Sequence, residues 1–219
     1  MLQVRGVERR FGTTLAVQAT DLAVAENDFI TILGPSGCGK STLLRIVAGL
    51  DVQSAGEVLL DGRRIAGPGA DRGMVFQSYT LFPWLSVLDN VCFGLRERGL
   101  PRAQQLEVAN GFIAQVGLRG FERHYPKQLS GGMQQRTAIA RALANGPRIL
   151  LMDEPFGALD PLTRRRLQDE FRALQRRLGT AVVLVTHDVP EALRLADSLV
   201  LLHQGRVEQS GPPDLIRQS

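Results

Sequence analysis

The chain has 219 residues, 44% of them hydrophobic, and a formal charge of +4 that comes almost entirely from arginine. This length suits one large domain or a core with an inserted subdomain. The basic residues are spread along the chain, which favours a scattered, solvated surface over a patch for nucleic acid or membrane.

The sequence also indicates a compartment. No apolar stretch approaches the roughly 20 residues that a membrane helix needs, and the N-terminus shows no secretory signal. Two cysteines are too few for a disulfide framework, so we expect a reducing cytosol.

The first third of the chain predicts strands around one glycine-rich break. Residues 1–30 alternate in the manner of antiparallel strands, and "FITIL" (29–33) predicts a short apolar strand. The glycines follow it directly. Apolar residues at 43, 46, 47 and 50 then have helical spacing, and "GMVFQ" predicts a strand that ends at Gln77.

The rest of the chain predicts first a group of helices and then strands that alternate with a helix. Residues 86–144 are mostly helical in pattern, with Ser86 and Asp89 as a capping pair and Pro101 at a helix start. "RILLMDE" (148–154) and "TAVVLVTH" (180–187) predict buried strands, and "DSLVLLHQGRVEQSG" predicts a closing hairpin. Between those two strands a helix shows one apolar face, formed by Leu167, Phe171, Leu174 and Leu178.

This order predicts the α/β class, with a mainly parallel sheet covered on both faces, an N-terminal antiparallel β part and an inserted α-helical subdomain. We expect one domain over residues 1–219. Residues 1–85 and 145–219 would form its core, and residues 86–144 the helical subdomain.

The glycine-rich break, "GPSGCGKST", predicts a phosphate-binding loop. It matches G-x-x-x-x-G-K-[ST] between an apolar strand and a helix. Glycines let a polyphosphate lie against backbone N–H groups, the lysine adds a full charge, and the serine hydroxyl can ligate Mg²⁺. The motif alone does not separate a kinase from a GTPase or a motor, and a glycine turn with a chance lysine is the alternative. The candidate nucleotide contacts are Gly34, Pro35, Ser36, Gly37, Cys38, Gly39, Lys40, Ser41 and Thr42.

"ILLMDE" predicts the acidic partners of this loop. Its four apolar residues form a buried strand whose end presents Asp153 and Glu154. Asp153 is placed to hold Mg²⁺ together with Ser41, and Glu154 to orient and deprotonate the attacking water. The alternative is a strand that simply ends in solvated acids.

One further segment, "LSGGMQQRTAIARAL" (129–143), decides the family. With "GPSGCGKST", Gln77, "LLMDEPFGALD" and "THD" in this order, the chain resembles the ATPase subunit of an ABC transporter from about Val4 to Ile216. The resemblance implies that two subunits pair head to tail, as a homodimer or with a related subunit. Each ATP would then lie between the phosphate loop of one subunit and the LSGG segment of the other.

The resemblance also implies roles for single residues. Gln77 would reach Mg²⁺ or the water, and His187 would contact the γ-phosphate, although a histidine beside Asp188 could be a surface cap residue instead. Asp160, in "GALD", would lie at the subunit interface. Phe11 would stack on adenine unless it is a core residue. Ser130, Gly131 and Gly132 would present a helix N-terminus to the γ-phosphate.

Within the family, "QSYTLFPWLSVLDNV" and "SGGMQQR" look like importers of the nitrate, sulfonate and taurine group. Partners would be transmembrane permease subunits on the cytoplasmic side of the inner membrane and, indirectly, a periplasmic-type solute-binding protein. Phe82, Pro83 and Trp84 would either pack within the lobe or receive a short permease helix. The alternatives are a thiamine-precursor importer, an exporter, a nucleic-acid-directed ABC ATPase without transport, and a small-molecule kinase. We expect no nucleic-acid partner.

Overall fold

The computed structural model describes residues 1–78 and 80–216, which form two sheets and seven α-helices. A short 3₁₀ helix, Pro126–Gln128, precedes the fourth α-helix. The strands are β1 Leu2–Phe11, β2 Thr14–Val24, β3 Phe29–Leu33, β4 Ala55–Leu60, β5 Arg63–Arg64, β6 Arg72–Val75, β7 Ile149–Asp153, β8 Ala181–Thr186, β9 Ser198–His203 and β10 Arg206–Gly211. The α-helices are α1 Lys40–Ala48, α2 Val87–Glu97, α3 Arg102–Gln115, α4 Gly131–Ala144, α5 Pro161–Leu178, α6 Val189–Leu195 and α7 Pro213–Ile216.

The larger sheet has the strand order β10-β9-β3-β8-β7-β6. All its neighbouring strands are parallel except β9 and β10, which form the predicted closing hairpin. The smaller sheet, in the order β2-β1-β4-β5, is antiparallel. The predicted α/β class with an N-terminal antiparallel part is therefore confirmed.

Successive residues of the parallel strands enter two different cores, because side chains alternate between the faces of a sheet. Leu150 and Met152 of β7 belong to the core under α2–α5, whereas Ile149 and Leu151 belong to the core under α1 and the smaller sheet. This is why β7 has four consecutive apolar residues rather than an alternating pattern. The sheet is covered on both faces, as predicted.

Two helix starts within the helical segment lie where the sequence predicts them. The Ser86 hydroxyl accepts a hydrogen bond from the Asp89 backbone N–H and caps α2, and Pro101 is the N-cap of α3. Helices α2, α3 and α4 pack on one another, and α4 packs on β6. They lead the chain out from one edge of the parallel sheet and back to β7.

Three local expectations were wrong or incomplete. Strand β6 ends at Val75, so Gln77 lies in the loop beyond it, where its side chain is exposed. Leu50 follows the Gly49 C-cap of α1 and is 41% exposed, so it lies outside the apolar face. Strands β4 and β5, which complete the antiparallel sheet, were not predicted.

Candidate active site

The loop between β3 and α1 takes its shape from the backbone of distant strands. A Cβ on Gly34 would lie 2.1 Å from the carbonyl oxygen of Leu202 in β9, and one on Gly39 would lie 2.3 Å from that of Ala16 in β2. The turn after β9 closes the contact, since the Gly205 N–H donates to the Cys38 carbonyl at 2.9 Å. These two glycines are therefore required by packing as well as by any phosphate.

Lys40 is the first residue of α1, and only 4% of it is exposed. Its ammonium donates to the carbonyl oxygens of Gly34 and Pro35, both at 2.8 Å. Among the residues that the structure describes, no carboxylate forms an ion pair with it. A buried cation bound only by neutral groups is costly, and an anion above the loop would offset that cost.

The start of α1 is itself suited to an anion. Its N-cap, Gly39, has a φ of +102° and no side chain that could occupy the first backbone N–H groups, and the first turn holds no acidic residue. Unpaired N–H groups at a helix N-terminus carry a partial positive charge. The loop thus offers backbone donors and a buried ammonium at one point.

Asp153 ends β7 opposite this loop. Its Oδ1 accepts a hydrogen bond from the Ser41 hydroxyl at 2.9 Å. Burial raises the pKa of the Asp153 carboxyl, and the Ser41 hydrogen bond opposes that shift. The carboxylate has lost solvation that a bound cation would restore.

These donors fit Mg²⁺ of the kind that a nucleotide carries. Within residues 1–78 and 80–216, no group of three or more His, Cys, Asp or Glu side chains is placed to hold a metal ion. Mg²⁺ at phosphate sites is held by one or two protein carboxylates, with phosphate oxygens and water filling the other positions. A single hydroxyl–carboxylate pair, Ser41 and Asp153, satisfies that requirement.

Glu154 has a backbone conformation that is uncommon for a residue with a side chain. Its φ is +44°, in the left-handed region. Two hydrogen bonds hold it there: its N–H donates to the Val185 carbonyl at 2.9 Å, and its own carbonyl accepts from the Gly157 N–H at 3.2 Å. Such strain persists only where the surrounding structure imposes it, and it clusters at functional sites.

The side chain of Glu154 meets two of the predicted catalytic residues. The Gln77 amide donates to Oε2 at 3.2 Å, and Nδ1 of His187 lies 3.0 Å from Oε1. These three residues, with Arg164, Thr186 and Glu191 among others, line a cavity of about 140 Å³. His187 is therefore not a helix cap; Asp188 caps α6 instead, accepting from the Glu191 N–H.

Glu191 is a buried carboxylate in the wall of this cavity. It accepts a hydrogen bond from the Gln168 amide at 2.8 Å and another from the Thr186 hydroxyl. Burial raises its pKa above the ordinary 4.5. The folded state thus binds a proton that the unfolded state has released, so this group's contribution to stability is present below about pH 4.5 and is lost as the pH rises through the raised pKa.

Glu191→Gln should remove this pH dependence. Relative to the parent, we expect the variant to gain unfolding free energy as the pH rises above 4.5, and the gain should level off above the raised pKa. Urea unfolding at a series of pH values measures the difference. The exposed Glu107, changed to Gln, is the matched control and should show no such trend. A flat difference for Glu191→Gln would contradict the assignment.

The remaining predicted contacts lie elsewhere in the fold. Ser130 caps α4 by accepting from the Met133 N–H, and Gly131 and Gly132 begin that helix. Asp160 caps α5 by accepting from the Thr163 N–H at 3.0 Å, a bond that lowers the pKa of its carboxyl. Within residues 1–78 and 80–216, none of the four lines the cavity beside Glu154.

Phe11 lies at the end of β1, beside the turn to β2, and is 48% exposed, so the core alternative was wrong. The Arg9 guanidinium lies 4.4 Å from the ring centroid and is held by an ion pair with Asp51 at 2.7 Å. The cation supports the ring through a cation–π contact. Arg9 was not among the predicted contacts, although its position two residues before Phe11, on the same face of a strand, was a usable signal.

A second, larger cavity of about 770 Å³ lies among residues of the 68–82 segment, α2 and α4. Its walls are mostly apolar and include Phe82, Phe93 and Arg141. The guanidinium of Arg141 lies 5.5 Å from the Phe82 ring centroid and donates to the Thr80 carbonyl at 2.9 Å. Beside this cavity, Trp84 contacts Phe82 yet is 70% exposed, so Phe82 packs within the lobe whereas Trp84 projects from it.

Comparison with known proteins gives one consistent result. The family described as ABC transporter matches residues 17–157. The chain is 55% identical over 204 residues to an ABC transporter ATP-binding protein of Methanocaldococcus jannaschii, covering 92% of this chain and 76% of the relative. It is 47% identical over 205 residues to the taurine import ATP-binding protein TauB of Escherichia coli, covering 94% and 80%.

Among solved structures, the dimeric post-hydrolysis state of the ATP-binding cassette MJ0796 bound to ADP and Pi matches with a TM-score of 0.84 and 35% identity. The match covers 97% of this chain and 99% of that one. Fold, loop and sequence agree: the chain belongs to the ABC transporter family, as one of its ATP-hydrolysing cassettes.

Proposed function

We propose that this chain is the ATP-hydrolysing subunit of an ABC importer for a small solute such as nitrate, a sulfonate or taurine. The main support for the catalytic role is that Gln77 and His187 both contact the strained Glu154. Glu154 directly follows Asp153, which is hydrogen-bonded to Ser41. The relationship to a taurine import protein supports the direction and class of cargo. The described residues hold no helix long and apolar enough to span a bilayer.

In this proposal Lys40 and the N-terminus of α1 bind the phosphates of ATP. Ser41 and Asp153 would hold Mg²⁺, and Gln77 would contact the ion or the water. When bound, the ion would supply positive charge against the phosphates. Glu154 accepts a proton from the attacking water, and His187 orients that carboxylate and the γ-phosphate. Phe11, supported by Arg9, stacks on adenine.

We further propose that two copies, or this chain and a related subunit, share each nucleotide. Ser130, Gly131 and Gly132 start α4 away from the cavity of their own chain, so a second chain would bring them to the phosphates. Asp160, Gly157 and the 81%-exposed Leu162 form a surface that suits the same contact. The dimeric cassette relative supports this arrangement.

The permease would dock beside the larger cavity, at the cytoplasmic face of the membrane. An apolar groove rimmed by arginines, with Trp84 projecting next to it, suits an amphipathic helix with an acidic end. Through the permease the subunit would act with a periplasmic-type solute-binding protein. A thiamine-precursor importer is the second candidate, supported by the same Pro83–Trp84 segment.

Uptake by cells tests the proposal. Deletion of the gene should abolish ATP-dependent uptake of one of labelled taurine, another sulfonate or nitrate, and the intact gene should restore it. A gene carrying Glu154→Gln should not restore it, because the subunit would bind ATP without turning it over. Unchanged uptake of all these solutes would refute the cargo class; loss of pyrimidine-precursor uptake instead would establish the second candidate.

A further inference from the structure

Arg164, in the first turn of α5, binds two loops at once. Its guanidinium donates to the carbonyl oxygens of Phe156 at 3.1 Å, Gly157 at 3.1 Å and Leu159 at 3.0 Å. It also donates to Oδ2 of Asp188 at 3.3 Å. The side chain is 28% exposed and lines the cavity that holds Glu154.

The two loops are those that carry the catalytic pair. The first loop, residues 154–160, begins at Glu154 and contains the three carbonyl acceptors. The second contains His187, directly before Asp188. Contact between Glu154 and His187, at 3.0 Å, therefore depends on how these loops lie against each other. Arg164 forms hydrogen bonds to both loops.

Other contacts hold each loop separately. Asp188 donates its N–H to the Thr186 hydroxyl at 3.0 Å and caps α6, so the second loop is fixed to β8 and α6. The first loop is fixed at Glu154 by the Val185 carbonyl and then closed by its own turn bonds. Past Glu154, the hydrogen bond between Arg164 and Asp188 joins the first loop to the second.

We propose that Arg164 is a positioning residue for ATP hydrolysis, which sets the relative placement of Glu154 and His187 by fastening residues 156–159 to Asp188. All three of its guanidinium nitrogens already donate to protein acceptors, so it acts through the loops rather than on the nucleotide. Residues 157–160 belong to the proposed subunit interface. The same hydrogen bonds of Arg164 would therefore transmit contact with the partner to His187. The inference rests on the proposed function of Glu154 and His187.

Steady-state kinetics of the full chain test this proposal. Arg164→Gln should lower kcat by about 10- to 100-fold, since misplacing a catalytic group by about 1 Å has effects of that size. The KM for Mg-ATP should stay within about twofold, because the phosphate loop is untouched. Arg164→Lys, which keeps the charge but cannot reach three carbonyls, should give an intermediate kcat. Arg165→Gln, on the exposed side of the same turn, is the matched control and should behave like the parent.

A double-mutant cycle tests whether Arg164 acts through its hydrogen bond to Asp188. Asp188→Asn keeps a residue suited to capping α6 but removes the charge that Arg164 binds. Alone it should lower kcat; added to Arg164→Gln it should lower kcat by less than about twofold further, since the link is already broken. If Arg164→Gln does not fold, the same cycle is run with Arg164→Lys.

Three results would overturn the proposal: a kcat for Arg164→Gln equal to that of Arg165→Gln, equal effects of Asp188→Asn in both backgrounds, or a fall in kcat that matches a fall in the folded fraction seen by circular dichroism. The Glu154→Gln variant separates this failure from failure of the proposed function. Normal turnover by the Arg164 variants, together with an inactive Glu154→Gln variant, refutes only the positioning role of Arg164. Normal turnover by Glu154→Gln refutes the proposed site.

Discussion

Glu154→Gln should abolish ATP turnover while leaving ATP binding intact. The amide matches the carboxylate in shape, so its oxygen can still accept from Gln77 and its NH₂ can still donate to a neutral His187. It cannot accept a proton from water. Loss of a general base lowers rates by roughly 10²- to 10⁴-fold, and we expect kcat to fall within that range.

Two measurements on the same purified protein separate binding from chemistry. Titration with Mg-ATP should give a Kd within about twofold of the parent, since no phosphate-binding group has changed. Size-exclusion chromatography with ATP should show the variant as a stable dimer, because hydrolysis no longer releases it. Glu107→Gln, an exposed change of the same chemistry, is the control. Turnover at the parental rate would remove Glu154 from the role of base.

Lys40→Ala should have the largest effect on binding. The ammonium is the full charge at a loop that otherwise offers only backbone dipoles, and a charge-assisted hydrogen bond contributes about 1.5–3 kcal/mol. We therefore expect the Kd for Mg-ATP to rise by about 10- to 100-fold, and hydrolysis to fall with it. Isothermal titration calorimetry measures the change.

The chain supplies its own control for this variant. It has only two lysines, and the second, Lys127, is exposed beside the start of α4. Lys127→Ala should bind Mg-ATP like the parent. Because Lys40→Ala leaves the Gly34 and Pro35 carbonyls without their donor, circular dichroism must show that it is folded, and Lys40→Met, which keeps more of the volume, is the second variant. Parental affinity in both Lys40 variants would refute the phosphate-loop assignment.

The parts of the fold that the sequence predicted well are those that depend on local pattern. The mainly apolar segments within 29–33, 148–154 and 180–187 form β3, β7 and β8 because each face of the parallel sheet has its own core. The helix cap at Ser86 was predicted correctly as well, because capping also depends on local sequence. Strand β4 was missed because its pairing with β1 is a long-range event, and β5 was missed because it consists of two exposed arginines, which pair with β4.

At the site, residue types were predictable and partners were not. The motif indicates Lys40 and Glu154, yet nothing local shows that Gln77 bonds Glu154 from a loop rather than from a strand end. Arg164 is one of three consecutive arginines, and only the tertiary fold distinguishes it from its neighbours. The reason for Gly34 likewise comes from Leu202, 168 residues further along the chain.

The contacts that shape the phosphate loop have a consequence for the order of folding. The loop contacts Ala16 on one side and Gly205 on the other, and Gly205 also accepts from the Gln18 N–H at 2.7 Å. During synthesis the ribosome must therefore release the chain at least as far as Gly205 before residues 34–40 find all their neighbours. Nascent chains would gain the ability to capture nucleotide late, in a single cooperative step governed by contacts distant in sequence.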